Sequence, residues 1–335
     1  MIRGRSAVVL ACLGLLAIAS CVACGSLDKS EMTSHLLELP KNADAKALGL
    51  TRESLTWTSA AGESRVEEIV FLHAKAIEPR AGLPPVLLIH GTPATLFTWT
   101  RVIFGTPESE GLRQHRDVYA LEVIGHGMAP TSSRPRTFED CGDFVAAFAA
   151  KIGTPRVDLV GHSYGGEFCL DVAIDRPELV RRLVVIDSSG IGRAPEEFLP
   201  EEVAMREMSL APIGWLLNSR PRITTALAPH FVPGPTADQV EEVFLTCDNS
   251  TNWKTMVDLA RDENGDRELE MSRIQAETLL VFGDRDIAYP PAKFATRFAE
   301  LIPSAKSVIV KDCGHYPQEE RPSALLTELG PFLNR

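Results

Sequence analysis

A serine stands in a G-x-S-x-G frame at residues 161–165, where its hydroxyl could act as a nucleophile. The frame follows an apolar run at residues 157–160 and precedes an amphipathic segment that ends before Pro177, which predicts a strand, a sharp turn and a helix. Glycine is needed on both sides because a side chain there would clash within the turn. The pattern predicts that Ser163 projects above a sheet; the alternative is a glycine-rich turn with an unused serine.

The segments that must position this serine are short apolar strands separated by helical stretches. Near-continuous Val, Ile and Leu runs are typical of a mostly parallel sheet that is covered on both faces. Residues 54–73 hold two runs with no helix between them, which predicts an antiparallel hairpin at the sheet edge. Further strands are predicted at residues 85–90, 118–123, 157–161, 183–187, 278–283 and 307–310. We therefore expect an α/β fold with helices on both faces of the sheet.

The alternation of strands and helices stops between residues 192 and 272. This stretch carries helical patterns, such as residues 237–246 after Pro235, and proline-rich breaks, but no convincing strand. An insertion of this length between two strands is typical of a cap. The predicted domains are a core at 51–191 and 273–335 and a helical cap at 192–272. Aromatic residues of the cap, such as Trp215 and Phe231, are expected to influence substrate selectivity.

The chain has an excess of acidic residues, which argues against nucleic acid as a partner. The 335 residues include 45 Asp and Glu against 34 Lys and Arg, which gives a formal net charge of −11 at pH 7. Such a surface repels phosphate backbones and no basic cluster offsets it, so no nucleic-acid partner is expected. No histidine and cysteine cluster has the spacing of metal ligands, and neither a metal nor another cofactor is predicted. The oligomeric state does not follow from the sequence.

The first residues have the pattern of an export signal. Arg3 and Arg5 precede an uninterrupted apolar stretch at residues 7–19, which is too short for a permanent membrane span. The junction Ile-Ala-Ser-Cys at residues 18–21 resembles the lipobox of bacterial lipoproteins, in which the cysteine is acylated and becomes the N-terminus. This resemblance implies a signal peptide at 1–20, lipid on Cys21, membrane contact through that lipid and a cell-envelope location. A plain secretory cut near residues 23–25, releasing a periplasmic or secreted protein, is the alternative.

Residues 21–50 are polar and show no strong periodicity, which favours a tether between the membrane surface and the folded domain. Loss of the two signal arginines would change the formal net charge from −11 to −13. After export the cysteines of the domain would meet an oxidising compartment, where pairing is possible but not required. These cysteines are Cys141, Cys169, Cys247 and Cys313.

Several motifs together resemble the α/β-hydrolase family, in its cap-bearing group of esterases, epoxide hydrolases, haloalkane dehalogenases and carbon–carbon bond hydrolases. The resemblance covers roughly residues 55–335. The motifs that carry it are His-Gly-Thr-Pro, Gly-His-Gly, the serine frame, Gly-Asp-Arg-Asp and a late Gly-His, at residues 90–93, 125–127, 161–165, 283–286 and 314–315. The chain order of serine, acid and histidine is the one this family uses.

The resemblance implies a catalytic triad of Ser163, Asp286 and His315. A serine hydroxyl needs a neighbouring base, and His315 follows the last predicted strand by a short loop and has an unperturbed pKa near neutral pH. The family places its acid at the end of a G-x-x-D pattern, which selects Asp286 and leaves Asp284 as a turn residue. Asp187, after an earlier strand, is the remaining alternative because some relatives carry the acid there.

The motif positions also imply that the backbone amides of Thr92 and Tyr164 form an oxyanion hole. Dehalogenases and epoxide hydrolases use an aspartate where this chain has Ser163. Of the reactions in this family, the resemblance therefore leaves those in which an acyl group is transferred to water. Hydrolysis of a carboxylic ester with a small apolar acyl group is the expected activity. Carbon–carbon cleavage and a cofactor-free perhydrolase or haloperoxidase reaction on the same triad stay open. A non-catalytic, lipid-anchored binding protein on the same fold is the alternative from another class.

Overall fold

The computed structural model describes residues 27–59, 61–130, 136–207 and 218–335. Its strands are β1 Thr51–Thr58, β2 Ser64–Ala74, β3 Val86–Ile89, β4 Gly105–Thr106, β5 Ser109–Glu110, β6 Val118–Leu121, β7 Val157–His162, β8 Val180–Ile186, β9 Glu277–Gly283 and β10 Ala305–Val310. Eight of them form one sheet in the order β1-β2-β6-β3-β7-β8-β9-β10, and β4 and β5 form a separate small hairpin.

The main sheet is antiparallel at one edge and parallel elsewhere. β2 pairs antiparallel with β1 and with β6, whereas the neighbours from β6 and β3 through to β10 are parallel. In β3, Leu87 and Ile89 pack on one face and Val86 and Leu88 on the other, so every residue of the strand is buried. Each predicted strand is found, and the prediction of an α/β fold with a mostly parallel sheet is confirmed.

Helices cover both faces of this sheet. They are α1 Lys29–Glu38, α2 Ala43–Leu48, α3 Thr100–Phe104, α4 Phe138–Lys151, α5 Tyr164–Asp175, α6 Pro200–Glu207, α7 Arg220–Leu227, α8 Ala237–Cys247, α9 Ser250–Asp262, α10 Phe294–Leu301, α11 Pro317–Glu320 and α12 Pro322–Leu333. Phe144 of α4 and Phe168 of α5 pack on one face, and Leu36 of α1 and Leu329 of α12 on the other. None of the helices in the described ranges is long and apolar enough to cross a membrane.

Residues 192–272 form the insertion between β8 and β9. Its described parts contain α6 to α9 and short 3₁₀ turns but no strand. Thr236 caps α8 and forms a capping box with Gln239, which explains why this helix begins directly after Pro235. A separate apolar cluster joins the helices of the insertion to Tyr316 of the core. Trp215 lies outside the described residues.

Residues 27–50, which we call the arm, do not form the predicted tether. They fold into α1 and α2, and Met32, Leu36 and Ala45 are fully buried against the sheet. Most side chains of the arm are not fully buried, which makes its apolar pattern weak, and two of its lysines add polar attachments to the rest of the protein. Residues 1–26, with the predicted signal peptide and Cys21, lie outside the described residues.

Lys29 attaches the start of the arm to the loop after β6 and to α9. Its Nζ donates to the carbonyl of Gly127 at 2.6 Å and also to Oδ1 of Asn252. Burial lowers the pKa of Lys29 to about 7, because few solvent molecules remain to stabilise the ammonium. The arm thus reaches a loop motif of the predicted active site.

Lys41 attaches the middle of the arm to two other helices. Its Nζ pairs with Glu242 of α8 and, at 3.2 Å, with Glu319 of α11. Burial alone would lower the pKa of Lys41, but the two carboxylates raise it above its ordinary value. Glu242 in turn accepts the hydroxyl of Thr95 at 2.6 Å. One lysine therefore links the arm, the insertion and the core.

Candidate active site

Ser163 occupies the turn between β7 and α5 in a strained backbone conformation. Its φ is 54° and its ψ is −126°, a combination that non-glycine residues rarely adopt. The amide of Ser163 donates to the carbonyl of Ile186 at 3.0 Å, and its carbonyl accepts from Gly166 at 2.9 Å. The turn is therefore tied to β8 on one side and to α5 on the other, and the side chain borders an internal cavity.

Glycine is required at positions 161 and 165 because a side chain there would lie too close to backbone oxygens. A Cβ at Gly161 would lie 2.3 Å from the carbonyl oxygen of Gly165, and a Cβ at Gly165 would lie 2.4 Å from that of His90. Cβ atoms do not approach backbone oxygens so closely, so a side chain at either position would displace β3 or the start of α5. This agrees with the steric need for glycine that the sequence indicates.

His315 lies in the loop between β10 and α11, where its Nδ1 is 2.9 Å from Oδ2 of Asp286. Its amide donates to the carbonyl of His230 at 2.8 Å, and its carbonyl accepts from Nε2 of His162 at 2.7 Å. Because Asp286 takes Nδ1, Nε2 is the ring nitrogen left for a partner in the cavity. Ser163 and His315 line the same cavity.

Asp286 is held as an anion beside this histidine. Its Oδ1 accepts from the amide of Ala288 at 2.8 Å, and its Oδ2 contacts His315. Burial would raise the pKa of Asp286, but His315 and the hydrogen bonds keep this pKa below its ordinary value. The carboxylate can therefore orient the imidazole and stabilise its protonated form.

The two other acids considered from the sequence have different contacts. Asp284 accepts the amide of Cys313 at 3.2 Å, as expected for a residue that shapes the loop. Asp187 is fully buried, accepts the amide of Gly283 at 3.0 Å and is hydrogen-bonded to Asp286. The acid brought into contact with His315 is thus Asp286.

The two predicted oxyanion donors border the serine. Tyr164 is the first residue of α5, where backbone amides have no acceptor within the helix and the helix dipole is positive. Thr92 lies at the cavity wall, and its hydroxyl is hydrogen-bonded to Nε2 of His126. A Cβ at Gly91, the residue before Thr92, would lie 2.6 Å from Cβ of Ser163. The loop after β3 therefore touches the turn that carries the serine.

Two buried histidines hold the loops around this site. Burial lowers the pKa of His90 to about 4 and that of His126 to about 3, so both are neutral at pH 7. Nδ1 of His90 donates to the carbonyl of Gly91 at 2.8 Å, and its Nε2 accepts the amide of Val123 at 3.0 Å. Their role is to connect the loops after β3 and β6.

The cavity beside Ser163 has a volume of about 540 Å³ and lies between the sheet and the insertion. Its size is that of a small-molecule site. Phe231, expected to influence selectivity, does not border the cavity but stacks on Tyr316 with ring centroids 4.5 Å apart. The apolar lining residues from the insertion are Ala204, Met205, Ile223, Ala226, Leu227, Val243, Trp253, Met256 and Ala260.

A charged cluster beside the cavity consists of residues that belong to no sequence motif. Glu263, after α9, accepts the hydroxyl of Tyr164 at 2.9 Å and Nη2 of Arg193 at 2.7 Å. Arg193 also binds Glu202 of α6 at 2.9 Å. Burial raises the pKa of Glu263 despite the neighbouring Arg193. Sequence reasoning missed Arg193, Glu202 and Glu263 because no motif connects them and Glu263 joins the other two only in the folded insertion.

His230 is a second histidine of the cavity wall that the sequence did not single out. Its ring centroid lies 6.0 Å from that of His315, and its Nε2 lies 3.4 Å from Oε1 of Glu201. Burial lowers the pKa of His230. No motif surrounds this residue, so only its position in the fold reveals it.

The cysteines whose pairing the sequence left open are separate, buried thiols. They are Cys141, Cys169, Cys247 and Cys313. Cys247 borders the cavity, and burial raises the pKa of its thiol to about 12, so it stays protonated at neutral pH. It is therefore a wall residue rather than a nucleophile.

Sequence comparison identifies one family and several enzymes with similar chains. The model of the alpha/beta hydrolase family matches residues 86–329. A 2-hydroxy-6-oxo-2,4-heptadienoate hydrolase of Pseudomonas putida is 26% identical over 260 residues, which cover 74% of this chain and 88% of that protein.

Solved structures extend the similarity. A membrane phospholipase A, described as a bacterial virulence factor, superimposes with a TM-score of 0.70 and 26% identity, covering 98% of both chains. A thermophilic esterase from Thermogutta terrifontis has a TM-score of 0.69 and 21% identity, covering 85% of this chain and 98% of that one. The esterase shares the fold at an identity too low to indicate more, whereas the phospholipase likeness includes the arm.

Proposed function

The chain belongs to the alpha/beta hydrolase family, and from this premise we propose that it is a carboxylesterase acting on an apolar acyl ester through an acyl-enzyme on Ser163. One observation carries the proposal. Ser163 and His315 border a single apolar cavity, and His315 is bound to the ionised Asp286 at 2.9 Å. This arrangement supports the roles of nucleophile, base and orienting acid for Ser163, His315 and Asp286, beside a cavity with room for an acyl group.

In the proposed reaction, Nε2 of His315 accepts the proton of Ser163 as Oγ attacks the ester carbonyl. Asp286 holds Nδ1–H of His315 and stabilises the imidazolium that forms. When the tetrahedral intermediate collapses, His315 protonates the departing alkoxide and an acyl-serine remains. Water then gives its proton to His315 and attacks the acyl-serine, which releases the carboxylic acid and restores Ser163.

The amides of Tyr164 and Thr92 are proposed to stabilise the oxyanion. Negative charge develops on the former carbonyl oxygen during each attack, and donors fixed in advance lower that barrier most. The position of Tyr164 at the start of α5 supports this role, since its amide lies at the positive end of the helix. His126 supports the position of Thr92 through its side-chain hydroxyl.

The substrate class is proposed from the cavity wall and from one relative. Burying an acyl chain against aliphatic and Met side chains gains about 0.8 kcal/mol per methylene group. Similarity to a membrane phospholipase A over 98% of both chains further favours an ester of a fatty acyl group. We therefore propose a lipid-like ester as the substrate.

Residues 192–272 are proposed to act as a cap that determines acyl selectivity. The helices of this insertion supply most of the apolar wall, and Glu263 joins the insertion to the core by accepting the hydroxyl of Tyr164 at 2.9 Å. Substitutions of lining residues such as Val243 and Met256 are expected to change chain-length preference without removing the catalytic groups.

Carbon–carbon bond hydrolysis is the second candidate, favoured by the 26% identity to a heptadienoate hydrolase. That substrate name contains a ketone and a carboxylate but no ester, so its hydrolysis breaks a carbon–carbon bond. Arg206 and Arg222 border the cavity and could attract a carboxylate, but Glu201, Glu202 and Glu263 border it too. Glu202 and Glu263 are paired with Arg193, so the three acids and the three arginines at this end of the site balance, and no excess of positive charge favours a carboxylate. We therefore prefer the ester.

We also propose that the mature protein begins at Cys21, carries lipid there and acts on the outer side of the cytoplasmic membrane. Arg3, Arg5 and the apolar run before Cys21 support this location. Cys21→Ser should remove both the added lipid mass and the membrane association, as measured by fractionation and mass spectrometry of the N-terminus. A soluble wild-type protein that starts beyond Cys21 would contradict the anchor.

The activity is tested with p-nitrophenyl esters of graded acyl length, without added metal or cofactor. We expect turnover in the wild type, stoichiometric labelling of Ser163 by a serine-directed phosphonate, and neither in Ser163→Ala. Turnover of a 6-oxo dienoate in preference to every ester would replace the ester assignment by carbon–carbon cleavage. Halide- and peroxide-dependent turnover would instead indicate a perhydrolase or haloperoxidase.

A further inference from the structure

A second carboxyl group lies beside the proposed triad acid. Asp187 follows β8 directly and is fully buried. Its φ of 42° is positive, which non-glycine residues rarely adopt. Its amide donates to the carbonyl of Val281 at 2.9 Å and so continues the pairing of β8 with β9. The residue is therefore fixed in a sharp turn at the end of the strand.

Gly283 connects Asp187 with Asp286. The amide of Gly283 donates to Oδ1 of Asp187 at 3.0 Å, and its carbonyl accepts the amide of Asp286 at 3.3 Å. The side chains of Asp187 and Asp286 are hydrogen-bonded to each other. Two ionised carboxylates offer acceptors only, so this hydrogen bond requires one proton in the pair.

The surrounding contacts decide which carboxyl group holds that proton. Asp286 accepts from Nδ1 of His315 at 2.9 Å and from the amide of Ala288 at 2.8 Å, and such donors stabilise an anion. Asp187 is fully buried, accepts the one amide of Gly283 at 3.0 Å from Oδ1 and 3.3 Å from Oδ2, and is subject to the negative charges of Asp286 and of Glu320 in α11. Burial and these charges raise the pKa of Asp187 well above its ordinary value. The proton therefore resides on Asp187.

We infer that Asp187 is a neutral carboxylic acid that donates a hydrogen bond to Asp286 and thereby positions the triad acid. The inference rests on the proposed function of Ser163, Asp286 and His315. With Asp187 in this role, Asp286 receives an imidazole N–H, a backbone N–H and a carboxyl O–H. Three donors fix both of its oxygens, so the carboxylate stays aligned with Nδ1 while His315 gains and loses a proton.

The same turn also supports the nucleophile, which affects how the inference is tested. Oγ of Ser188 donates to the carbonyl of Ser163 at 3.2 Å, and a Cβ at Gly166 would lie 2.3 Å from that Oγ. Removing the Asp187 side chain could therefore disturb Ser163 as well as Asp286. A direct measurement of the proton on Asp187 is needed beside the kinetic comparison.

The proton is measured by carbon-13 NMR of the protein labelled at the aspartate carboxyl carbons. At pH 8.5 we expect one neutral-acid signal that disappears in Asp187→Asn and persists in Asp284→Asn. Asp171, whose pKa burial raises to about 7, is ionised at this pH and does not interfere. A spectrum whose neutral-acid region is the same in wild type and Asp187→Asn would overturn the inference, whether or not the protein hydrolyses esters.

The positioning role is measured with p-nitrophenyl ester kinetics. Asp187→Asn keeps a neutral donor of similar shape and should retain kcat within about threefold, whereas Asp187→Ala should lower kcat about tenfold or more with KM little changed. If Asp187→Asn lowers kcat as much as Asp286→Asn does, a negative charge on Asp187 is essential and the inference is wrong. If Asp187→Ala keeps full activity, Asp187 does not position Asp286, and the inference is wrong as well. Absence of ester turnover in the wild type would instead contradict the proposed function.

Discussion

The turn around Ser163 and the arm at residues 27–50 both hold polar groups inside the protein, but they do so by opposite means. In the turn, glycines allow the backbone to approach itself and the end of β3 to distances that forbid a side chain. In the arm, Lys29 and Lys41 reach partners that lie between 98 and 278 positions away along the chain. The first arrangement is recognisable in the residue types of one short motif, whereas no local motif indicates the second.

This difference separates the energetic roles of the two regions. The serine turn stores strain at a reacting group, and its loss should remove activity while leaving the fold. The arm lysines join α8, α9 and α11 to the core, and their loss should lower stability before it alters chemistry. Substitutions in each region can test whether this division holds.

The largest effect is expected from Ser163→Ala. Removing the nucleophile should lower kcat for p-nitrophenyl esters by about 10⁴-fold or more, since the remaining groups supply only residual catalysis. Thermal unfolding should stay close to that of the wild type because the methyl group fits the same turn. Retained turnover, or a large loss of stability, would contradict the assignment of catalysis to the turn and of stability to the arm.

Asp286→Asn should be the next most damaging change. An amide cannot hold the Nδ1–H tautomer of His315 or stabilise its cation, so kcat should fall about 10³- to 10⁴-fold. Asp284→Asn is the matched control, because Asp284 contacts the amide of Cys313 instead. Steady-state kinetics of both variants decides the matter, and the reverse ranking would show that the wrong carboxylate was chosen.

Lys41→Met tests the arm. Removing this ammonium leaves Glu242 and Glu319 without their counter-ion, and Glu242 is nearly inaccessible to solvent, so we expect a loss of about 3 kcal/mol in urea unfolding. Lys46→Met is the control, because Lys46 pairs with Glu38 on the surface and should change stability by less than about 0.5 kcal/mol. Equal stability of both variants would mean that the arm contributes little to the fold.

Lys29→Met should change how stability depends on pH. Lys29 has a pKa of about 7 when folded against an ordinary value of 10.5, so between these values the unfolded chain binds more protons. Stability relative to the variant should therefore rise from pH 7 to pH 9.5, by roughly 3 kcal/mol. Denaturant unfolding of both proteins across this range provides the measurement; a difference that falls or stays constant would show that the lysine is not desolvated.

The smallest effect is expected in the cavity wall, which belongs to neither region. Val243→Phe fills space in the cavity and should lower kcat/KM for long acyl esters about tenfold while sparing short ones. Val66→Phe, on the exposed side of β2, is the size-matched control. If both variants keep the wild-type chain-length profile, the acyl chain does not occupy this cavity.

The sequence predicted the fold because its signals are local. Apolar runs located the strands, and the helical pattern after Pro235 located α8 within one residue of its observed end. Motifs selected Ser163 and His315, but the choice of Asp286 over Asp187 needed the family resemblance, since both acids follow strands. The structure joins Asp286 to His315, and their catalytic roles stay predictions until variants are measured.

The arm and the Arg193–Glu263 cluster escaped sequence analysis for one physical reason. A buried lysine or arginine needs oxygen acceptors, which a carboxylate, an amide or a backbone carbonyl can provide, and nothing in neighbouring residues tells which distant group will supply them. The polar composition of residues 21–50 therefore indicated a tether, although Lys29 and Lys41 are buried attachments. Pairing of distant charges becomes visible only with the fold.

Docking of the arm determines how far the enzyme can work from its proposed anchor. The backbone of Leu27 is bonded to Asp248 at 3.1 Å and to Asn249 at 2.8 Å, at the turn between α8 and α9. From Cys21 to Leu27 the chain can span at most about 20 Å, whereas a free tether to residue 50 would span about 100 Å. If Cys21 carries the proposed lipid, the turn between α8 and α9 is held within this short distance of the membrane surface, which keeps helices that line the cavity near the bilayer.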